Sequence, residues 1–137
     1  MRLLANSPKP VIAAVEGHAA GAGVSVAAAC DLVVAARNAT FTCGFGRIGL
    51  MPDMGAAWVL PMRMGLGHAK RLLLTGTPVS GEEAFQLGLA DYVAEPGQAL
   101  AMARTVAREI TAMAPLATTM AKGLLARAPQ GLEDVLA

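Results

Sequence analysis

Three places in the chain carry residue types and spacings that suit chemistry. The first is Asp53 in the loop Gly49-Leu50-Met51-Pro52-Asp53-Met54-Gly55, which leads into the apolar run Ala56-Ala57-Trp58-Val59-Leu60. An aspartate among such neighbours has two open roles. It is a helix N-cap, or it is an acid/base group in an apolar pocket, where desolvation raises its pKa toward the range useful for proton transfer. The second place is the turn Gly21-Ala22-Gly23. Glycines there let the backbone take positive φ and let a ligand approach, and amides opening the next helix can stabilise an anion. A turn that is merely close-packed is the other reading. A dinucleotide site is excluded, because the third glycine of that fingerprint falls at Val26 and no acidic residue ends the next strand. The third place is Ser25 in Gly23-Val24-Ser25-Val26-Ala27, close to a G-x-S-x-G nucleophile elbow. A serine nucleophile needs a histidine base in reach. Only His18, too near in sequence, and His68, on a helical stretch, are present.

The elements around these places follow from hydrophobic pattern and turn formers. Val11 to Val15 is a continuous apolar run after Pro8-Lys9-Pro10, the mark of a strand buried on both faces of a parallel sheet. Glu16-Gly17-His18 leads into the glycine turn, Val24 to Cys30 reads as a short buried helix, and Leu32 to Ala36 as a second buried strand. Together they make a strand–helix–strand crossover. Thr40 to Cys43 is a short extended piece, and Cys43 to Met54 is a glycine-rich loop of the kind that carries function. Helices are predicted over Ala56 to Met64 and His68 to Thr75, separated by Gly65-Leu66-Gly67. Ser80-Gly81-Glu82-Glu83 is a capping box opening a helix to about Leu87. A strand over Ala90 to Ala94 and helices over Pro96 to Met113, Leu116 to Ala128 and after Gly131 complete the prediction.

Composition narrows the class. At 137 residues the chain suits one domain, and a net charge of +1 with 11 Lys and Arg spread from Arg2 to Arg127 leaves no basic cluster for nucleic acid. The longest apolar stretch, Ala19 to Cys30, is shorter than the roughly 20 residues a membrane helix needs. The start Met1-Arg2-Leu3-Leu4 is interrupted at once by Asn6, Pro8 and Lys9, so no signal peptide and a cytoplasmic protein with no membrane partner are expected. Cys30 and Cys43 lie far apart without metal-ligand spacing and are expected as buried reduced thiols, with no metal site. The chain is 55% hydrophobic and 15% charged, against about 25% charged in ordinary domains, so surface is expected to be buried against a partner.

Several stretches then resemble one family. Lys9 to Gly23 is similar to the KPVIAAVxGxAxGGG stretch of the enoyl-CoA hydratase/isomerase (crotonase) family, and Asp31 to Ala35 to its CDxxxA strand. Phe41 with Gly49 to Gly55 resembles its FxxxxxxxGxxPxxGG loop. Leu74-Thr75-Gly76 with Ala84 to Ala90 resembles its LTGxxxxAxEAxxxGLV segment. Order and spacing match from Lys9 to Lys122.

The resemblance implies an α/β fold, the crotonase-like ββα spiral of the ClpP/crotonase class with C-terminal helices. Residues 1–137 would be a single-domain fragment of it, lacking the family's N-terminal segment and last helices. By position, the backbone N–H of Ala22 donates to the thioester oxygen, flanked by Gly21 and Gly23, and helps stabilise an enolate. The second donor lies in the family's N-terminal segment. The two glutamates of family hydratases fall at Ser25 and Phe45, and neither residue is an acid or base. Isomerase-like members place one carboxylate after the loop proline, where this chain has Asp53. Ile48 to Gly55 resembles the IGLxPDxGG loop of phenylacetate-pathway isomerases, with Ala56 replacing the second glycine. The implied activity is double-bond isomerisation of an acyl-CoA thioester, with no cofactor beyond the coenzyme A of the substrate, in a homo-oligomer (trimer or hexamer). Met51, Met54 and Trp58 are candidates to line the acyl pocket, core packing being the other role for Trp58. The alternatives are hydration, a non-catalytic remnant that assembles with other subunits, and a serine hydrolase using Ser25.

Overall fold

The computed structural model describes residues 2–127; the helix expected after Gly131 lies outside them. Ile12–Val15 (β1) and Leu32–Ala36 (β3) are parallel neighbours, with Ile12 opposite Leu32 and Val15 opposite Ala35. Tyr92–Ala94 (β6) pairs with β3 on its other edge, also in parallel. The apolar runs read from the sequence therefore form a three-stranded parallel sheet, but β1 is half-buried and not covered on both faces as its pattern predicts, because it lies at the edge of the sheet while β3 is central. Its strands are joined by helical crossovers, the first through Ala22–Ala29 (α2).

A second small sheet stands beside the first. His18–Ala20 (β2) runs parallel to Thr40–Thr42 (β4), and Val79–Ser80 (β5) pairs antiparallel with β4. The sequence pattern places Glu16-Gly17-His18 on the approach to the turn, whereas His18–Ala20 is a strand. Its alternation is present, with Ala19 buried between exposed His18 and Ala20, but two alanines carry weak strand propensity. Each strand of the first pair continues into a strand of the second, and Thr40 N–H donating to the Gly17 carbonyl at 2.9 Å keeps the two crossings in step. This repeated passage from sheet to sheet and then to helix is the spiral.

The helices pack on this frame. Arg2–Ala5 (α1) is a single turn, and Ala56–Thr75 (α3) covers α2. The two helices expected either side of Gly65-Leu66-Gly67 abut at Gly65 alone, whose φ of 76° and ψ of 157° no helix contains. Gly81–Gln86 (α4) opens at Ser80, whose hydroxyl accepts from the Glu83 amide. The reciprocal half of the capping box is diverted, since the Glu83 carboxylate pairs with Arg71. Ala99–Thr111 (α5) has no side-chain cap of its own. The Glu16 carboxylate, 83 residues away, accepts from the Gly97 and Ala99 amides and meets the positive end of that helix. Pro115–Arg127 (α6) closes the fold, and the buried Lys122 ammonium donates to the Leu4 and Lys9 carbonyls and to Asp31 Oδ2 at 2.7 Å.

Phe41, Leu60, Leu72, Leu89, Val33 and Val34 are fully buried at the centre. Arg63 of α3 reaches across α2 to its C-terminal end. Its guanidinium donates to the carbonyls of Ala28 at 2.7 Å, Cys30 at 2.6 Å and Asp31 at 3.1 Å, and pairs with Asp91 at 3.0 Å. The last carbonyls of a helix need such donors, and a cation there suits the helix dipole. Arg63 thus holds α2 from the end opposite the glycine turn.

Candidate functional site

The glycine turn joins β2 to α2. Gly21 is the N-cap residue, with φ 51° and ψ −116°, a backbone region that side chains disfavour. Its amide donates to the Thr42 carbonyl of β4 at 2.8 Å, and its carbonyl accepts from Val24 and Ser25. Ala22 and Gly23 are the first two helical residues. Both are exposed, and among the described residues no acceptor meets their amides. The turn therefore presents two free N–H groups at the positive end of a helix, the geometry that receives a developing anion.

Phe45 supports that turn from below. It is buried in the single turn of 3-10 helix Phe45–Ile48, with its ring beside the Gly21 Cα, where an added Cβ would lie 3.7 Å from the ring edge. The Phe45 side chain is thus part of the core.

The loop carrying Asp53 leaves this 3-10 turn through Gly49, left-handed at φ 71°, and ends in two consecutive left-handed residues, Met54 at φ 48° and Gly55 at φ 76°. Gly55, with no side-chain cap, is the N-cap of α3. That decides the role of Asp53 left open by the sequence: it is not the N-cap. Its carbonyl instead accepts from the Ala56 amide at 2.9 Å and from the Ser25 hydroxyl at 3.3 Å, and its side chain is exposed. The described residues do not close an apolar pocket over the carboxylate; Met51 is 80% exposed and Met54 is half-exposed.

Ser25 is fully buried, and its hydroxyl is spent on the Asp53 carbonyl. His18 and His68 are both exposed, and neither bonds to Ser25. A serine-hydrolase reading fails on both counts, since the oxygen is neither accessible nor paired with a base. The Ser25–Asp53 tie is what sequence reasoning missed. The two residues lie 28 positions apart, and nothing local announces the contact.

Trp58 stands on the first turn of α3, 58% exposed, and so is not a core residue here. It borders a broad cleft with Ala29, Met62, Arg63 and Leu125, which neither Asp53 nor Ala22 lines. The structure thus groups Gly21, Ala22, Gly23 and Asp53 through Ser25, leaves Met51 and Met54 on the same loop as Asp53, and sets Trp58 on another wall. Both cysteines are buried: burial pushes the Cys43 thiol up to about 11 and raises that of Cys30. No helix among the described residues is long and apolar enough to cross a membrane.

Comparison with known proteins agrees with this architecture. The model of the family described as enoyl-CoA hydratase/isomerase matches residues 1–134. The chain is 42% identical over 110 residues to the 1,2-epoxyphenylacetyl-CoA isomerase of Escherichia coli (strain K12), covering 80% of this chain and 42% of that protein. It is 45% identical over 89 residues to a probable enoyl-CoA hydratase of Rhodobacter capsulatus, covering 65% of this chain and 35% of that one. It superposes on the crystal structure of an enoyl-CoA hydratase from Polaromonas sp. JS666 with a TM-score of 0.92 at 42% identity, covering 98% of this chain and 52% of that one. The chain spans about half the length, or less, of the relatives it matches. With the sheet-to-sheet spiral, the glycine turn and the proline loop in the family's order, the chain belongs to the enoyl-CoA hydratase/isomerase family and has its crotonase-like α/β fold.

Proposed function

We propose that this chain carries the proton-transfer half of an acyl-CoA double-bond isomerase, with Asp53 as the base and the Ala22 N–H as an oxyanion donor. The observation that carries the reading is the set of groups at three positions. The carboxylate at Asp53 is exposed and tied through its own carbonyl to α2, whereas positions 25 and 45 hold a buried hydroxyl and a buried phenyl ring. Water addition in this family needs two acid/base groups, and by position this chain supplies neither. A single base suffices to move a proton. The Asp53 carboxylate takes the α proton of a 3-enoyl thioester, the electron pair passes to the thioester oxygen, and the Ala22 amide donates to the enolate oxygen. The same carboxylic acid returns the proton at the γ carbon, leaving the 2-enoyl thioester with nothing added or lost.

The family resemblance assigns the second oxyanion donor to the family's N-terminal segment, and the Ala22 amide is the donor that residues 9–122 supply. Met51 and Met54, on the Asp53 loop, are assigned to the acyl side of the pocket, and Trp58 to a more distant wall. Coenzyme A enters as part of the substrate, and no other cofactor is invoked. Exposed apolar residues away from that loop, such as Leu66, Leu74 and Leu100, support a homo-oligomer in which such surface is covered.

The test is turnover of a 3-enoyl-CoA by the wild type and by Asp53→Asn, followed by absorbance of the conjugated product. Asp53→Asn is expected to lower kcat by roughly 10²- to 10⁴-fold with KM little changed, the usual contribution of a positioned base. Full turnover by Asp53→Asn would overturn the proposal, as would a wild type that hydrates 2-enoyl-CoA faster than it isomerises the 3-enoyl substrate.

A further inference from the structure

The loop from Gly49 to Gly55 is held at very few points. Its side chains are mostly in solvent, with Ile48 at its base 73% exposed, Leu50 56% and Met51 80%, so packing does not fix it. Its root is tied by the Gly49 and Leu50 amides to the Gly46 and Phe45 carbonyls, and its end by the Ala56 amide to the Asp53 carbonyl and the Trp58 and Val59 amides to the Gly55 carbonyl; all of these bonds are local. Met54 and Gly55 both sit at positive φ, and a non-glycine residue there adopts that conformation only when its surroundings impose it. Among the described residues, one side-chain hydrogen bond reaches this loop from elsewhere in the fold. It runs from Ser25 Oγ to the Asp53 carbonyl.

Ser25 is placed to do this. It lies on the first turn of α2, its own amide donates to the Gly21 carbonyl, and its side chain is completely buried. One residue therefore touches both the glycine turn that presents the Ala22 amide and the backbone unit that bears the Asp53 side chain. Holding the Asp53 carbonyl sets the direction of the Cα–Cβ bond, and so the arc the carboxylate can sweep.

We infer that Ser25 is a positioning residue that sets the Asp53 carboxylate against the Ala22 oxyanion donor, so that the proton taken from the substrate is returned within the same encounter. This rests on the isomerase reading above. Ser25 touches no reacting atom and acts through Asp53. Without its hydroxyl the loop samples other arrangements, and proton transfer is sensitive to such displacement, an ångström of misplacement costing about 10²-fold. A carboxylic acid that drifts from the γ carbon also has time to exchange its proton with water.

The experiment measures Ser25→Ala, Ser25→Thr and Ser25→Val, alone and with Asp53→Asn, using a 3-enoyl-CoA in deuterated water. The readouts are kcat, KM and the deuterium incorporated at the γ carbon per product molecule. Incorporation per turnover is independent of how much protein is folded, so poor folding of one variant does not imitate the effect. Ser25→Ala and Ser25→Val are expected to lower kcat by about 10- to 100-fold with KM within about twofold, and to raise deuterium per turnover several-fold. Ser25→Thr, which keeps the hydroxyl at the volume of valine, should restore low incorporation. In the Asp53→Asn background the Ser25 substitutions should add little further loss, because the group they position is gone. Wild-type incorporation in Ser25→Ala, or equal behaviour of the Thr and Val variants, would overturn the positioning role while leaving the base in place. Unchanged turnover in Asp53→Asn alone would instead bring down the isomerase reading on which it rests.

Discussion

Removing Arg63 tests how α2 is held. The guanidinium meets the carbonyls of Ala28, Cys30 and Asp31 and the carboxylate of Asp91, and Asp91 in turn accepts from the Val33 amide of β3 at 2.7 Å. Arg63→Met keeps most of the aliphatic stem, leaves the three carbonyls without that donor and leaves the Asp91 carboxylate with the Val33 amide alone. A net charged hydrogen bond contributes about 1.5–3 kcal/mol, and breaking a wholly buried ion pair costs roughly 3–5 kcal/mol. This pair is only partly shielded, with side chains 13% and 32% exposed, so water recovers part of the loss. The expected destabilisation is about 2–4 kcal/mol, read as a fall in urea midpoint at constant m, or as roughly 10 °C in Tm. Arg63→Lys should recover less than half of it, because a single ammonium cannot reach acceptors spread around a planar fork. A double-mutant cycle with Asp91→Asn should show coupling of about 1 kcal/mol. A loss under about 1 kcal/mol for Arg63→Met, or wild-type stability for Arg63→Lys, would refute the view that this side chain clamps the helix.

Two other perturbations follow from geometry and burial. Gly81→Ala should prevent folding, since its Cβ would lie 1.9 Å from the Ala36 carbonyl oxygen, a backbone atom of β3 that has no flexible side chain to give way; the check is the circular dichroism of purified variant. Cys43 gives a pH dependence whose sign is set by burial. Its thiol is raised to about 11 in the fold, from 9.0 when unfolded, so the unfolded chain loses its proton first. The stability this thiol contributes is intact below pH 9 and drains away between pH 9 and about 11. Cys43→Ala should therefore show a shallower decline of Tm across that window than the wild type, and equal slopes would remove thiol ionisation as the cause.

Much of the frame was legible along the chain because its signals are local. The apolar runs at Val11 to Val15 and Leu32 to Ala36 mark strands, although only the second is buried and the first stays half-buried; Ser80 announces a helix start, and glycine at positions 21 and 65 marks where the backbone leaves ordinary dihedrals. The motif order from Lys9 to Lys122 carries the family, and the residue types at 25, 45 and 53 fix which side-chain groups stand at those positions. Tertiary structure alone decided how those groups are used. Asp53 lost its N-cap role because two left-handed residues carry the chain past it, so that Gly55 caps α3. Ser25 lost its role as a nucleophile because packing spends its oxygen on a carbonyl 28 residues away, and Glu16 caps a helix 83 residues on for the same kind of reason. Hydrophobic period and turn chemistry are written into neighbouring residues. A hydrogen bond depends on a distance of about 3 Å that only the packed sheets and helices set.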